Sequence, residues 1–371
     1  MGNVERRLPH RAEHIGSLLR PRALKDAFRA HAEGRLDDVA FGRIQDEAIR
    51  EAIALQEDVG LRTITDGEFR RTAWSAGFVW ALGGLEPRDS LFEFTDDSGD
   101  VVRWQTCRAA ARVRRERGIT TDEFRFVRAA TRFTPKVTMP APSFLHFFRG
   151  PDCADRRVYP DLAAFWDDLV VIYREELRAL GELGATYVQI DEVPLAMLCD
   201  PEVRERVHAR GEDSDRLIGT YVDVVNRILE TRPAGMTVGM HLCRGNLRGH
   251  WMAAGGYEPI AERLFGGLGV DAFFLEYDSA RAGGFEPLRF VPKPKSVVLG
   301  LVSSKKRELE SPEDLRRRID EAGRFVPLDR LGLSPQCGFA STVGGNPLSP
   351  DDQRAKLALV VETARRVWGS T

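Results

Sequence analysis

The stretch TVGMHLCRGN, Thr237 to Asn246, begins as a short apolar run and ends on His241, Cys243 and Arg244. An apolar run of this length bounded by polar residues predicts a buried strand. Ligand-grade side chains at the strand's end then ask what kind of sheet gathers such ends together. Seven other runs have the same form: EHIGS (13–17), RTITDGE (62–68), PKVTMPA (135–141), TYVQIDE (186–192), AFFLEYD (272–278), SVVLGLV (296–302) and LGLSPQC (331–337).

Helical periodicity fills most of the intervals. The segments 38–60, 161–184, 213–230, 311–323 and 349–368 place apolar residues at helical spacing. The last two open on Ser-Pro, a side-chain cap followed by proline in the first turn. Eight strands alternating with helices predict a (β/α)8 (TIM) barrel in one domain spanning 1–371. An open doubly wound sheet is the runner-up, but no glycine-rich phosphate turn follows the first strand. Residues 85–133 break the rhythm. Their alternations, LFEFTDDSGDVVRW and DEFRFVRA, predict a β-hairpin insertion or lid after the second strand.

Composition excludes several function classes. The 371 residues carry 54 Lys and Arg against 56 Asp and Glu, a net charge of -2, which argues against a nucleic-acid footprint. No apolar run approaches the roughly 20 residues of a membrane span. The N-terminal MGNVERRLPH has no apolar signal core. Five sparse cysteines without a disulfide framework predict a reduced, cytoplasmic protein.

In a barrel the active site lies at the C-terminal ends of the strands. There the sequence places Gly16 and Ser17, Asp66 and Glu68, Asp191 and Glu192, His241 and Cys243, Glu276 and Asp278, and Cys337. Each alone reads as a cap, an ion-pair partner or a small buried group. Their convergence is the signal. His241 and Cys243, two apart on one strand, point to the same side. That spacing suits two ligands of one ion and is poor for a Cys–His nucleophile pair, whose side chains must face each other. Zinc favours thiolate and imidazole, and Glu276 and Cys337 complete four ligands. Two thiolates, a carboxylate and Zn2+ sum to -1. Such a site is a poor Lewis acid for hydrolysis and suits the activation of a thiol.

The ordered motifs EHIGSLLRP, TDGEFRRTAW, VQIDEVPL, MHLCRGN, FFLEYDSARAGGFEPL and SPQCGF resemble the cobalamin-independent methionine synthase family, in particular its zinc-bearing C-terminal barrel and the short members related to it. The resemblance implies the same four zinc ligands. It also implies Glu68 and Asp191 as catalytic residues that hold a homocysteine-like amino acid, with Ile15, Gly16 and Ser17 as further contacts. Arg244 and Lys305 are candidate substrate contacts, and Asn246, His146, Phe147 and Phe148 candidate donor contacts.

The departures from the family are equally informative. The expectation is a short member, without the N-terminal barrel half of full-length proteins. Pro142 stands where a folate-stacking tryptophan is expected, and Ser303 and Lys305 stand near the places of an aspartate and a proton-donating histidine. The resulting expectation is a zinc-dependent S-methyltransferase acting on a thiol such as homocysteine without using folate directly. Its methyl donor is a methylated corrinoid protein or a small molecule. The alternatives are another thiol alkylation such as epoxide opening, a decarboxylase-like barrel that needs no zinc, and a thiol-binding protein without turnover.

Overall fold

A computed structural model describes residues 8–371 of the chain; the first seven residues lie outside the described region. The strands, in chain order, are β1 (Thr63–Ile64), β2 (Leu82–Asp89), β3 (Phe94–Thr95), β4 (Val101–Val102), β5 (Gln105–Arg115), β6 (Thr134–Pro135), β7 (Val137–Pro140), β8 (Tyr187–Glu192), β9 (Thr237–Leu242), β10 (Ala272–Glu276), β11 (Ser296–Val302) and β12 (Leu331–Pro335). Strands β7 to β12 form one parallel sheet in sequence order. They are buried on both faces, as the near-continuous apolar runs require.

Two short segments complete the barrel. Strand β1 pairs in parallel with β6, which runs on into β7 through Lys136. The segment around Ala12 bridges to Leu333 of β12. The expected first strand, 13–17, does not form. Gly16 takes φ +140°, and its carbonyl accepts from the Thr65 hydroxyl at 2.8 Å, while the Ile15 carbonyl accepts from Gln189 Nε2 at 2.6 Å. Side chains satisfy this backbone in place of a ladder. The second expected strand, 62–68, shrinks to Thr63–Ile64 because Asp66–Glu68 is a tight turn with positive φ at Gly67 and Glu68.

The helices predicted from periodicity form at Asp38–Val59, Leu162–Glu182, Ser214–Leu229, Pro312–Ala322 and Pro350–Trp368. Ser311 and Ser349 cap the last two, and Gly60 closes the first in the left-handed conformation. Helix Arg22–Ala32 is an addition to the expected set.

The insertion is part hairpin and part helix. Strands β2 and β5 form a long antiparallel ribbon with β3 and β4 near its tip. DEFRFVRA, expected as a strand, belongs to helix Thr121–Ala130. Its apparent alternation comes from Phe124 and Phe126. Only Phe124 is in the core, spaced helically with Val127, while Arg50 and Arg70 cover the Phe126 ring at 5.2 and 5.0 Å. No described helix is long and apolar enough to cross a membrane.

The barrel interior is partly polar. Lys136 Nζ, fully buried, donates to Glu13 Oε2 at 3.1 Å and Gln189 Oε1 at 2.9 Å, and also to the His14 carbonyl. Gln189 Nε2 in turn donates to Asp191 Oδ1 at 2.7 Å. Each buried polar group in this chain of contacts thus has a partner, the condition under which burial is tolerated.

Candidate metal centre and substrate cavity

The parallel registers set the centre. Asp191 on β8 lies opposite His241 on β9, and His241 lies opposite Phe274 on β10, two residues before Glu276. The ligand atoms of His241, Cys243, Glu276 and Cys337 all lie within 4.8 Å of one another, and all four residues are buried. The sulfurs of Cys243 and Cys337 are 3.4 Å apart.

The imidazole shows how the set suits a metal. His241 Nδ1 contacts the Phe274 carbonyl at 3.3 Å, which fixes the N–H there and leaves Nε2 as the lone-pair nitrogen. That Nε2 is buried without a hydrogen-bond partner. A buried orphan nitrogen beside two thiols and a carboxylate fits a tetrahedral zinc site. The hydrogen bond from Cys243 holds the Cys337 thiol well below its usual range, with His241 adding to the effect against burial. The same bond and burial push Cys243 up. The Gly245 N–H also points at Cys243 Sγ, at 3.3 Å.

Arg244 and Lys305 have different places from those expected. Neither lines the cavity at the centre. The Arg244 guanidinium is buried behind the ligand loop. It donates to the Gly255 carbonyl at 2.8 Å and the Tyr257 hydroxyl at 2.9 Å, while its backbone N–H donates to Glu276 Oε1 at 3.1 Å. Lys305 Nζ donates to the Gly245 carbonyl at 3.0 Å. Asn246 Nδ2 donates to the Gly338 carbonyl at 2.7 Å. Lys305 and Asn246 therefore fasten the Cys243 loop to its surroundings, and Asn246 ties it directly to the Cys337 loop. Asp278 lies with Ser303 and Lys305 on a separate surface depression.

A cavity of about 120 Å³ opens over His241, Cys243 and Cys337. Ile15, Ser17, Glu68 and Asp191 line it together with His241, Cys243 and Cys337. Gly16 supplies a turn there: a Cβ at this position would come within 2.7 Å of Thr138 Cγ2. Glu68, at φ 60°, is held by Thr138 Oγ1 at 2.9 Å through Oε1, while its buried Oε2 has no partner. Burial pushes Glu68 up, and it pushes Asp191 up to about 7. His146, Phe147 and Phe148 are buried beneath the lid and do not reach the cavity; His146 contacts the Tyr221 hydroxyl at 2.8 Å and Glu212 at 3.2 Å.

Sequence reasoning missed the aromatic lining. Trp74, Phe94 and Trp104 border the cavity, the last two delivered by the lid. Thr95 and Trp251 exchange backbone hydrogen bonds of 2.7 Å that dock the lid tip onto the loop after β9. The alternating aromatics of LFEFTDDSGDVVRW carried a signal for this surface, but only the fold aims it at the ligands.

The whole barrel, from residue 12 to residue 365, matches the family described as the cobalamin-independent synthase catalytic domain. The chain belongs to that family. Similar family members include the uncharacterized Bacillus subtilis protein YxjH, 39% identical over 98% of this chain and 96% of its own length. A methionine synthase of Pyrococcus abyssi is 26% identical over 88% of this chain and 85% of its length. A Listeria monocytogenes structure, named as a candidate vitamin-B12 independent methionine synthase, matches at TM-score 0.76 and 30% identity, covering 98% of this chain and 99% of that one. A Shewanella B12-independent methionine synthase shares the fold at TM-score 0.72 and 19% identity over 96% of this chain and 97% of that one. Family membership makes the chain a methionine-synthase-like methyltransferase with a (β/α)8-barrel fold.

Proposed function

We propose that the chain is a zinc-dependent S-methyltransferase that methylates homocysteine or a closely related amino-acid thiol and does not use folate directly. The observation that carries this reading is the buried quartet His241, Cys243, Glu276 and Cys337, three of which open onto a cavity lined by Glu68 and Asp191. Zinc held by the quartet supplies the positive charge that keeps a bound thiol deprotonated and nucleophilic at neutral pH.

The remaining work falls to the chain's own side chains. The free Glu68 Oε2 and the Asp191 carboxylate receive the substrate ammonium. Ser17 and the backbone around Gly16 border the place for its carboxylate. The chain's contribution is proximity and alignment of sulfur with the methyl carbon. Pro142 at the position of the folate-stacking tryptophan, and Lys305 turned to the Gly245 carbonyl, support a donor other than folate. The five free cysteines, all buried, suit the reducing cytoplasm, where we place the protein.

The test is zinc content and homocysteine methylation measured together on the purified chain and on Cys337→Ala. About one zinc per chain and thiol methylation, both lost in the variant, are expected. Zinc and alkylation unaffected by the substitution overturn the reading.

A further inference from the structure

The cavity wall not formed by the ligands and the substrate carboxylates combines apolar and aromatic side chains with uncharged polar ones such as Gln105, Asn246 and Thr342. Trp74, Phe94, Trp104, Val193, Leu247 and Met252 supply its large apolar side chains. Phe94 and Trp104 meet edge to face at 5.8 Å, and Trp104 packs against Phe148 at 4.7 Å. Trp104 Nε1 donates to the Phe92 carbonyl at 2.9 Å, so its polar edge is already engaged. Trp74 is braced edge-on by Phe144 at 5.4 Å.

No lysine or arginine lines this cavity among the described residues. The nearest cations are engaged behind its wall. Arg20 donates to the Glu68 and Arg71 carbonyls; Arg71 donates to Glu123 and lies 3.9 Å from Glu68 Oε1; Lys136 is paired with Glu13. Arg244 and Lys305 are turned to Gly255, Tyr257 and Gly245. The charged side chains that do face the cavity are Glu68 and Asp191, beside the thiol- and carboxylate-rich quartet. With zinc in place the quartet still sums to -1, and aromatic rings beside it, with no lysine or arginine at the wall, favour a positively charged guest. A polyanionic donor would enter with nothing to neutralise it.

We propose that the methyl donor is a small onium compound, a methylsulfonium or a quaternary methylammonium, held against the rings of Trp74, Phe94 and Trp104. This assignment rests on the transferase reading above and names its donor class. The thiol gives its proton to water on binding. Its sulfur then attacks the methyl carbon. A carbon–sulfur bond forms as the bond from methyl to the onium centre breaks, and that electron pair leaves with the now neutral sulfide or amine. The leaving group needs no proton, in keeping with a cavity whose wall carries no lysine and no histidine besides His241.

The experiment uses the zinc-loaded full chain with homocysteine and three donor probes: trimethylsulfonium, methylcobalamin and 5-methyltetrahydrofolate. Methylation from trimethylsulfonium is expected. Trp104→Leu should raise the KM for trimethylsulfonium about tenfold while leaving that for homocysteine unchanged, with Trp104→Phe retaining most of the affinity. Trp74→Leu serves if Trp104→Leu fails to fold. Binding is read without turnover by tryptophan fluorescence, where choline should bind at least about tenfold more tightly than its uncharged isostere 3,3-dimethylbutan-1-ol. Equal binding of that pair overturns the onium assignment. So does methylation from methylcobalamin but not from trimethylsulfonium, which leaves the transferase reading intact, whereas methylation from the folate overturns both the onium assignment and the folate-independence of that reading. Failure to methylate from every donor removes both.

Discussion

Cys243 and Cys337 are 94 positions apart in the chain, and their sulfurs lie 3.4 Å apart. Zn–S bonds of about 2.3 Å in a tetrahedron place two sulfurs about 3.8 Å apart, so the pair opens only slightly around an ion. The bond from Asn246 Nδ2 to the Gly338 carbonyl holds their two loops in that relation. Asn246→Ala should therefore weaken zinc affinity by about 10- to 100-fold without touching a ligand. Competition with a chromogenic chelator measures this. Wild-type affinity in the variant would show that the loops hold without the tie.

Glu68 presents one occupied and one unoccupied carboxylate oxygen, and its backbone sits at φ 60° to do so. A hydrogen bond to a charged group contributes roughly 1.5–3 kcal/mol. Glu68→Gln should accordingly raise the KM for homocysteine by about 10- to 100-fold. The KM for a thiol lacking the amino group should barely move. Comparing the two thiols on both proteins is the check, and equal losses on both would remove the ammonium contact.

Lys136 and Glu13 form an ion pair sealed inside the barrel, with Gln189 and Tyr187 as further partners. Removing one member of such a pair strands the other charge. Lys136→Met should cost about 3–5 kcal/mol in urea unfolding. The double variant Lys136→Met/Glu13→Gln should recover most of that loss, because no uncompensated charge remains. No recovery would mean that packing around the Lys136 stem, over the Phe274 ring at 4.9 Å, carries the effect.

The strands from β7 onward were legible because strands buried on both faces read as continuous apolar runs, and their ends carry the ligand residues in plain view. The clustering of His241, Cys243, Glu276 and Cys337 was legible for the same reason: barrel topology converts a strand end into a place on one rim. The first segment was not, since EHIGS has a strand's composition but its carbonyls serve Gln189 and Thr65. The roles of Arg244 and Lys305 were hidden as well. Arg244 follows Cys243 directly and Lys305 follows the end of β11, yet both side chains turn away to backbone carbonyls. The aromatic wall depends on where a long ribbon folds back, a tertiary fact that alternation along the ribbon does not encode.

His14 gives the fold a defined acid limit. Burial, reinforced by the nearby Lys136 charge, pulls its pKa from 6.5 down to about 3. The folded protein therefore keeps this imidazole neutral where the unfolded chain binds a proton. Stability from the neutral ring is complete above pH 6.5 and is lost as pH falls toward 3, because the unfolded state then holds more protons. At about 1.36 kcal/mol per pH unit, lowering pH from 6.5 to 5 should cost about 2 kcal/mol through this group alone. His14 Nε2 lies 3.2 Å from the Thr63 carbonyl, a contact that a glutamine amide can replace without titrating. His14→Gln should thus lose about 2 kcal/mol less than wild type over that interval in denaturant unfolding. Parallel pH profiles for the two proteins would show that the ring is solvated in the folded state or that the site opens before it charges.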